Sequence, residues 1–376
     1  MQQKILHVVG GMTRGGVETW LMHVLRGIDR AKFKFHFLVH TSEPCAYDEE
    51  IRRLGAEIHP CTGVRNPIKY ARQFKAVLQK HGPFDVVHSH VYLYSGYVMR
   101  LAAEAGVPIR IAHSHTALTP KGLNFARFTY ERLMRDWIAR YSTHRIGISR
   151  IAADSLFGKQ AHNSAGVLYY GFDFAPFLQP QDPEEVKRRL GIPAHRKIIG
   201  HVGRFLPVKN HAFIVECFQR IVAAGTDAHL LLVGDGPLVA TVRKDIETRG
   251  LTDRCTFAGV HNVVAPFLSA MDVFLFPSLY EGLGIVALEA QAAGVLVVAS
   301  TVVPEEIDVI PGLVERIPLE AGPATWAAAL AGKLRNGNLK RGDEALLLQR
   351  SSFALPVCIE RLGRIYEGER IEDLAA

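Results

Sequence analysis

The sequence predicts an α/β protein built from two doubly wound, Rossmann-like parallel-sheet domains. Three observations predict it. Short apolar runs alternate with stretches long enough to hold a crossover helix, the pattern of a parallel sheet covered on both faces. The alternation stops at a polar, proline-bearing stretch, Leu178-Gln179-Pro180-Gln181-Asp182-Pro183, and then restarts. A chain of 376 residues, 48% hydrophobic and 22% charged, is long enough to fill two separate cores. The expected boundaries are 1–175 for the first domain and 176–354 for the second, with 355–376 a C-terminal helix that closes the second domain or crosses back to the first. Open parallel sheets bind ligands beyond the carboxyl ends of their strands, so the two sets of loops are expected to face each other across a cleft.

The elements follow in order. Lys4 to Val9 is a short apolar strand ending at Gly10-Gly11, after which Leu21, Val24, Leu25 and Ile28 fall at helical spacing. Phe33 to His40, Asp85 to His88 and Pro108 to His113 read as the next strands. In the second half Ile198 to Val202, Ala228 to Val233, Cys255 to Phe257, Val273 to Phe276 and Val295 to Ala299 read as five more. Leu355 to Tyr366 is helical. There is no repeat of solenoid length and no low-complexity tract.

Composition excludes several classes of function. No apolar run reaches the roughly 18 residues of a membrane span, and no signal-peptide pattern precedes the first strand, so a cytoplasmic protein is expected. Five cysteines, Cys45, Cys61, Cys217, Cys255 and Cys358, lack the paired spacing of a zinc knuckle or a disulfide framework. The formal charge of +7 favours an anionic partner but is too dispersed to indicate nucleic acid. Residues 121–150 carry Arg127, Arg132, Arg135, Arg140 and Arg145 among Phe125, Phe128, Tyr130, Leu133, Met134, Trp137 and Ile138. Two readings of that segment are open: a basic amphipathic helix resting on an anionic membrane, and a core-facing helix with a solvated arginine face.

The segment richest in chemistry is Pro277-Ser278-Leu279-Tyr280-Glu281-Gly282-Leu283-Gly284, followed by a helix expected from about Ile285 that carries Glu289. Its glycines allow close approach of a ligand to the backbone, the helix start offers unpaired N–H groups to a phosphate, and two carboxylates can accept from hydroxyls. A strand-to-helix turn shaped by geometry and capping alone would carry similar residues. Gly203-Arg204 with Lys209, just past an apolar strand, supplies a forked donor and a point charge suited to a diphosphate. The turn Gly10-Gly11-Met12-Thr13-Arg14-Gly15-Gly16 matches neither a dinucleotide fingerprint nor an ATP phosphate loop, but the N–H groups of Gly15 and Gly16 could meet a phosphate or a reacting sugar.

No two aspartates are separated by a single residue, so the metal-binding D-x-D arrangement is absent. His-Ser-His occurs at 88–90 and at 113–115. Side chains alternate across a strand, and on that ground one triplet is not expected to supply two metal ligands. No metal is expected. His113 is read as a core histidine and His115, at the strand end, as available for chemistry.

Gly15-Gly16-Val17-Glu18, Gly203-Arg204 with Lys209-Asn210, Val233-Gly234-Asp235-Gly236-Pro237, and Glu281-Gly282-Leu283-Gly284 with Glu289 together resemble the ordered motifs of glycosyltransferase family 4, the retaining enzymes of GT-B fold. The resemblance spans nearly the whole chain. The run Arg110-Ile111-Ala112-His113-Ser114-His115 is most similar to bacterial enzymes that build exopolysaccharide or capsule. The resemblance implies a nucleotide-sugar donor, a UDP-sugar by preference, and transfer to a hydroxyl of a glycan or lipid-linked glycan, with no cofactor and no nucleic acid partner. It implies that Arg204 and Lys209 hold the diphosphate, Glu281 the hydroxyls of the transferred sugar and Glu289 the ribose. Gly282, Leu283 and Gly284 would complete the cradle, Gly259 and Val260 would neighbour the base ahead of a helix near Asn262, and Gly15 and Gly16 would meet acceptor and diphosphate. His115 would stand at the reacting face. Two positions depart from the family: Tyr170 stands where asparagine is usual near the interdomain linker, and Val302-Val303-Pro304-Glu305-Glu306 replaces the usual Gly-Gly near the donor sugar. A sugar-nucleotide epimerase or phosphorylase of the same architecture, and a non-catalytic nucleotide-sugar-binding protein, are the alternatives. Intact Arg204, Lys209, Glu281 and Glu289 argue against a decayed site.

Overall fold

The computed structural model describes residues 2–116, 125–158, 165–336 and 342–371. The chain divides into two compact units, Met1–Phe172 joined by Ser352–Ala376, and Asp173–Ser351.

The first unit holds β1 (Gln3–Val9), β2 (Phe33–Val39), β3 (Glu57–Pro60), β4 (Val86–Ser89), β5 (Ile109–Ser114), β6 (His144–Gly147) and β7 (Gly166–Val167). They form one parallel sheet in the order β3-β2-β1-β4-β5-β6-β7, which reverses direction between β1 and β4. One face is hydrocarbon: Leu6, Val8, Leu38, Val87 and Ala112 pack with Phe74, Met99, Met134 and Ile138 in a continuous core. β3, β6 and β7 were not among the strands read from the sequence. Glu57-Ile58-His59-Pro60 and His144-Arg145-Ile146-Gly147 are too short and too polar to stand out, and they are strands because β2 and β5 offer open edges in register.

The helix Leu355–Tyr366 packs into this first unit, burying Cys358, Leu362, Ile365 and Tyr366. Its entry is close-fitting: Phe172 N donates to Phe353 O at 2.8 Å, Leu355 N donates to Phe172 O at 2.9 Å, and a Cβ on Gly171 would lie 2.6 Å from Leu355 Cα. The stretch 121–150 is not one helix. Residues 121–124 lie outside the described residues, the helix runs Phe125–Tyr141, and β6 follows.

The second unit holds β8 (Lys197–Val202), β9 (Ala228–Val233), β10 (Cys255–Gly259), β11 (Val273–Phe276), β12 (Leu296–Ser300) and β13 (Val314–Ile317). They too form a parallel sheet, ordered β10-β9-β8-β11-β12-β13. Trp326, Phe205 and Phe218 are fully buried in its core among Leu230, Leu232 and Leu275. The helix expected near Asn262 begins instead at Ala265, because Pro266 suits a first helical turn.

Candidate active site

In the second unit β11 delivers the chain into the turn Pro277–Gly284, and the helix Ile285–Ala292 follows. Gly284 caps that helix in the left-handed region at φ +88°, where a Cβ would crowd Phe276 at 3.0 Å and Val303 at 3.2 Å. The turn is tied to the loop after β8. Leu279 N donates to Val208 O at 2.8 Å, and Asn210, itself left-handed at φ +57°, donates from Nδ2 to Pro277 O at 3.2 Å.

These ties bring the two sequence motifs together. Lys209 Nζ donates to Glu281 Oε1 at 2.6 Å, and Ser278 Oγ donates to the same oxygen at 2.7 Å. Ser278 is in turn held by Ser300, whose Oγ donates to the Ser278 carbonyl at 2.6 Å. Both members of the ion pair are largely buried, at 18% and 12% exposed, and Lys209 Nζ also sits 5.2 Å above the Phe276 ring. The pair is thus a preorganised ammonium and carboxylate in the turn that leads into the helix.

Glu289 lies one turn into that helix, half-buried, and its carboxylate makes no hydrogen bond or ion pair among the described residues. Burial pushes its carboxyl up to about 7. Leu283 turns its side chain into the core. Arg204 is exposed past the end of β8 and has no side-chain partner among the described residues. The loop after β9 packs on this strand end: a Cβ on Gly234 would run into the Gly203 carbonyl, and one on Gly236 would lie 2.8 Å from Phe205 N. Gly259 closes β10 at φ +77° with its carbonyl accepting from Gly234 N at 2.8 Å, and Val260 beyond it is exposed.

In the first unit Gly15 caps the helix Gly16–Gly27 in extended conformation, and a Cβ there would strike the Glu18 carboxylate. Gly16 is exposed with open space around it. Behind this turn the sheet face opposite the hydrocarbon core carries five clustered imidazoles. The expectation that one His-Ser-His triplet cannot offer two ligands to one side is overturned, because alternation places residues i and i+2 on the same face. His88 and His90 ring centroids are 4.2 Å apart, and those of His113 and His115 4.1 Å.

The rings form two chains. His7 Nδ1 meets His90 Nε2 at 3.1 Å, His90 Nδ1 meets His115 Nε2 at 2.8 Å, and His115 Nδ1 meets the Tyr170 hydroxyl at 2.6 Å. In parallel, the Tyr366 hydroxyl meets His88 Nδ1 at 3.0 Å and His88 Nε2 meets His113 Nδ1 at 3.1 Å. Burial lowers His7 and His115 to about 3, and burial reinforced by the neighbouring imidazoles holds His88, His90 and His113 well below the usual range. All five are therefore neutral at physiological pH. His113 is a core residue, but its Nε2 is buried without a partner among the described residues. His115 is half-buried with both ring nitrogens engaged, so contact with a substrate requires one bond to yield.

Sequence reading missed Tyr170 as a partner of His115, and missed His7 and His90. The signal was present: polar aromatic residues at every second position of strands that are otherwise apolar. Tyr170 also stacks on Trp20 at 5.1 Å.

Comparison with known proteins shows the family and the fold. The family model described as "Glycosyl transferase 4-like domain" matches residues 15–171, and that described as "Glycosyl transferases group 1" matches 196–336. The chain is 36% identical to EpsF of Bacillus subtilis (strain 168) over 347 residues, covering 90% of each chain. It is 27% identical to the capsular polysaccharide biosynthesis glycosyltransferase CapH of Staphylococcus aureus, over 87% of this chain and 89% of that one. Among solved structures, Anabaena Alr3699/HepE in complex with UDP superposes with a TM-score of 0.78 over 98% of this chain and 100% of that one at 18% identity, a likeness of fold. The same protein in complex with UDP-glucose gives 0.74 at 19% identity, again over 98% and 100%. The chain belongs to the group 1 glycosyltransferases of family 4, with the two parallel α/β sheets of the GT-B fold.

Proposed function

We propose that this chain transfers a sugar, with retention, from a UDP-sugar to a hydroxyl of a glycan or lipid-linked glycan in surface polysaccharide synthesis. The observation that carries the reading is the buried Lys209–Glu281 pair, followed one helical turn later by Glu289, whose carboxylate has no partner among the described residues. Relatives support the substrate class: CapH is named for capsular polysaccharide biosynthesis, and HepE is described with UDP and with UDP-glucose.

In this reading Arg204, free of other partners, folds onto the diphosphate, and Lys209 adds a point charge as the leaving group gains negative charge. Glu281 keeps Lys209 in place and accepts from hydroxyls of the transferred sugar. Glu289, ionised, accepts from the ribose hydroxyls. Backbone N–H groups at Gly282, Leu283 and Gly284 cradle the phosphates, and Gly259 and Val260 flank the base. Gly15 and Gly16 bind substrate at the start of the helix Gly16–Gly27, where Gly16 is open. His115 acts as a neutral hydrogen-bonding group at the reacting carbon, and the leaving phosphate takes the acceptor proton. The two cations take the charge that a divalent ion neutralises in other transferases, so no metal is required.

The test is UDP release by purified protein across a panel of UDP-sugars, with lipid-linked glycan acceptors and with EDTA present. Turnover unaffected by EDTA and lost in Arg204→Ala supports the reading. Undiminished turnover in both Arg204→Ala and Lys209→Ala overturns the diphosphate assignment.

The first turns of the helix Phe125–Tyr141 favour a membrane contact as well. Phe125, Phe128, Tyr130 and Leu133 are exposed beside Arg127 and Arg132, whereas Met134 and Ile138 further along are core. No helix among the described residues is long and apolar enough to cross a membrane. Aromatic side chains inserted at the headgroup level and arginines drawn to anionic lipid would hold the enzyme at the surface where a lipid-linked acceptor resides. Co-sedimentation with anionic vesicles, lost in a Phe125→Ser/Phe128→Ser variant and absent with neutral vesicles, checks it.

A further inference from the structure

A second group of histidines lies at the edge of the first sheet, away from the strand ends that carry the motifs. His36 is central in β2, and Glu57 and His59 are on the edge strand β3. The register pairs His36 with Glu57 and Leu38 with His59, so all three side chains share one face. His36 Nδ1 is 3.0 Å from His59 Nε2, and Glu57 Oε2 is 3.8 Å from the first and 4.0 Å from the second. His81, at the end of the helix Pro67–His81, brings its Nδ1 to 3.4 Å from that same carboxylate oxygen. Lys34 Nζ holds the other oxygen, Oε1, at 2.6 Å.

These distances have a meaning in coordination chemistry. Zinc bonds of about 2.0–2.1 Å in tetrahedral geometry place neighbouring ligand atoms roughly 3.3–3.4 Å apart. The three separations among His36, Glu57 and His59, 3.0 to 4.0 Å, bracket that value. His36 and His59 are buried, whereas Glu57 and His81 are 38% and 25% exposed, so the group has closed walls and an open mouth. Lys34 acts as an orienting neighbour of the carboxylate, leaving Oε2 turned to the imidazoles. The nearby ammonium opposes a cation. It is offset by its own pairing with Oε1.

We propose that His36, Glu57 and His59 form a binding site for a divalent transition-metal ion of the zinc type, with water completing the tetrahedron on the open side. Two imidazole nitrogens and one carboxylate oxygen suit zinc or cobalt and not magnesium or calcium, which take oxygen ligands. The ion ties the edge strand β3 to β2. It has no part in the transfer step proposed above, and the inference stands apart from that reading.

The experiment uses the full chain, stripped with EDTA and titrated with Co²⁺. A single Co²⁺ per chain with the intense visible absorption of a tetrahedral site, displaced by Zn²⁺ and accompanied by a rise in Tm, is the expected result. Glu57→Gln and His59→Gln should weaken Co²⁺ binding by at least the ~10–100-fold that loss of a supporting group produces. His90→Gln, in the separate histidine group, should bind as the parent does. The proposal is overturned if the parent chain shows no tetrahedral band, if both ligand variants bind undiminished, or if His90→Gln alone abolishes binding. Should His59→Gln fail to fold, Glu57→Gln, with a partly exposed side chain, decides the matter by itself.

Discussion

The two sheets share their strand order, and each buries a histidine in its first strand, His7 in β1 and His201 in β8. They differ in what surrounds that histidine. In the second unit His201 bonds to the Leu275 carbonyl at 2.9 Å and packs against His211 and Phe274, and the loops and helix beyond the strand ends carry Arg204, Lys209, Glu281 and Glu289. In the first unit His7 is the end of a chain of neutral imidazoles closed by tyrosine, with no charge on it. One architecture thus presents fixed charge in one copy and uncharged hydrogen-bonding groups in the other. Fixed charge suits a phosphate-bearing ligand, and neutral dipoles suit hydroxyl groups.

The largest effect should come from the charged side. Lys209→Ala removes the cation that the proposed function assigns to the leaving group and strands Glu281, and turnover measured as UDP release should fall by ~10²–10³. A loss below about fivefold would mean that the pair is only structural. Next, Glu289→Gln should weaken UDP-sugar binding about tenfold, the scale of a hydrogen bond to a charged acceptor. Because burial raises Glu289 to about 7, parent affinity should decline as pH falls through that value, and the variant should lose this dependence in a calorimetric titration from pH 5.5 to 8.5.

On the neutral side, Tyr170→Phe leaves the Trp20 stacking in place but deletes the hydroxyl on His115. We expect about a fivefold fall in kcat with KM for donor unchanged, corresponding to one net hydrogen bond. A change in donor KM with constant kcat would contradict a positioning role.

The smallest effect near neutrality is on stability, and it has opposite signs in the two units. Glu289 holds a proton in the fold between its unfolded value of 4.5 and about 7, so it contributes stability that is lost as pH rises through that window. His7 and His115, lowered from 6.5 to about 3, bind fewer protons folded than unfolded, so the first unit loses stability as pH falls below 6.5. Segment-resolved hydrogen exchange at pH 5 and pH 7.5 should show the first unit opening more readily at the lower pH. Equal protection of that unit at both values would show the histidine network to be energetically idle.

Most of the fold was legible, for a plain reason. Ala228–Val233 and Val273–Phe276 are apolar along their whole length because strands of a parallel sheet are buried on both faces, and such runs are visible in a sequence. β3, β6, β7 and β13 were not visible, since edge and near-edge strands need be apolar on one face at most and are specified by the open neighbour they pair with. At the site, Lys209 and Glu281 could each be named from motif and spacing. Their contact could not, because 72 residues separate them and Leu279–Val208 and Asn210–Pro277 bonds make the meeting. His115 was legible as a residue and not as an environment, since Tyr170, His90 and His7 come from three separate places in the chain.

By itself the sequence determined the class of each element, the two-sheet architecture and the residue types available for phosphate and hydroxyls, because these rest on local periodicity and on chemistry that each side chain carries alone. The tertiary structure decided the pairings: which carboxylate is bound to a cation and which is left alone, which histidines are neutral, and where Leu355–Tyr366 packs. Those outcomes depend on burial and distance between residues far apart in the chain, and proton affinity follows from burial.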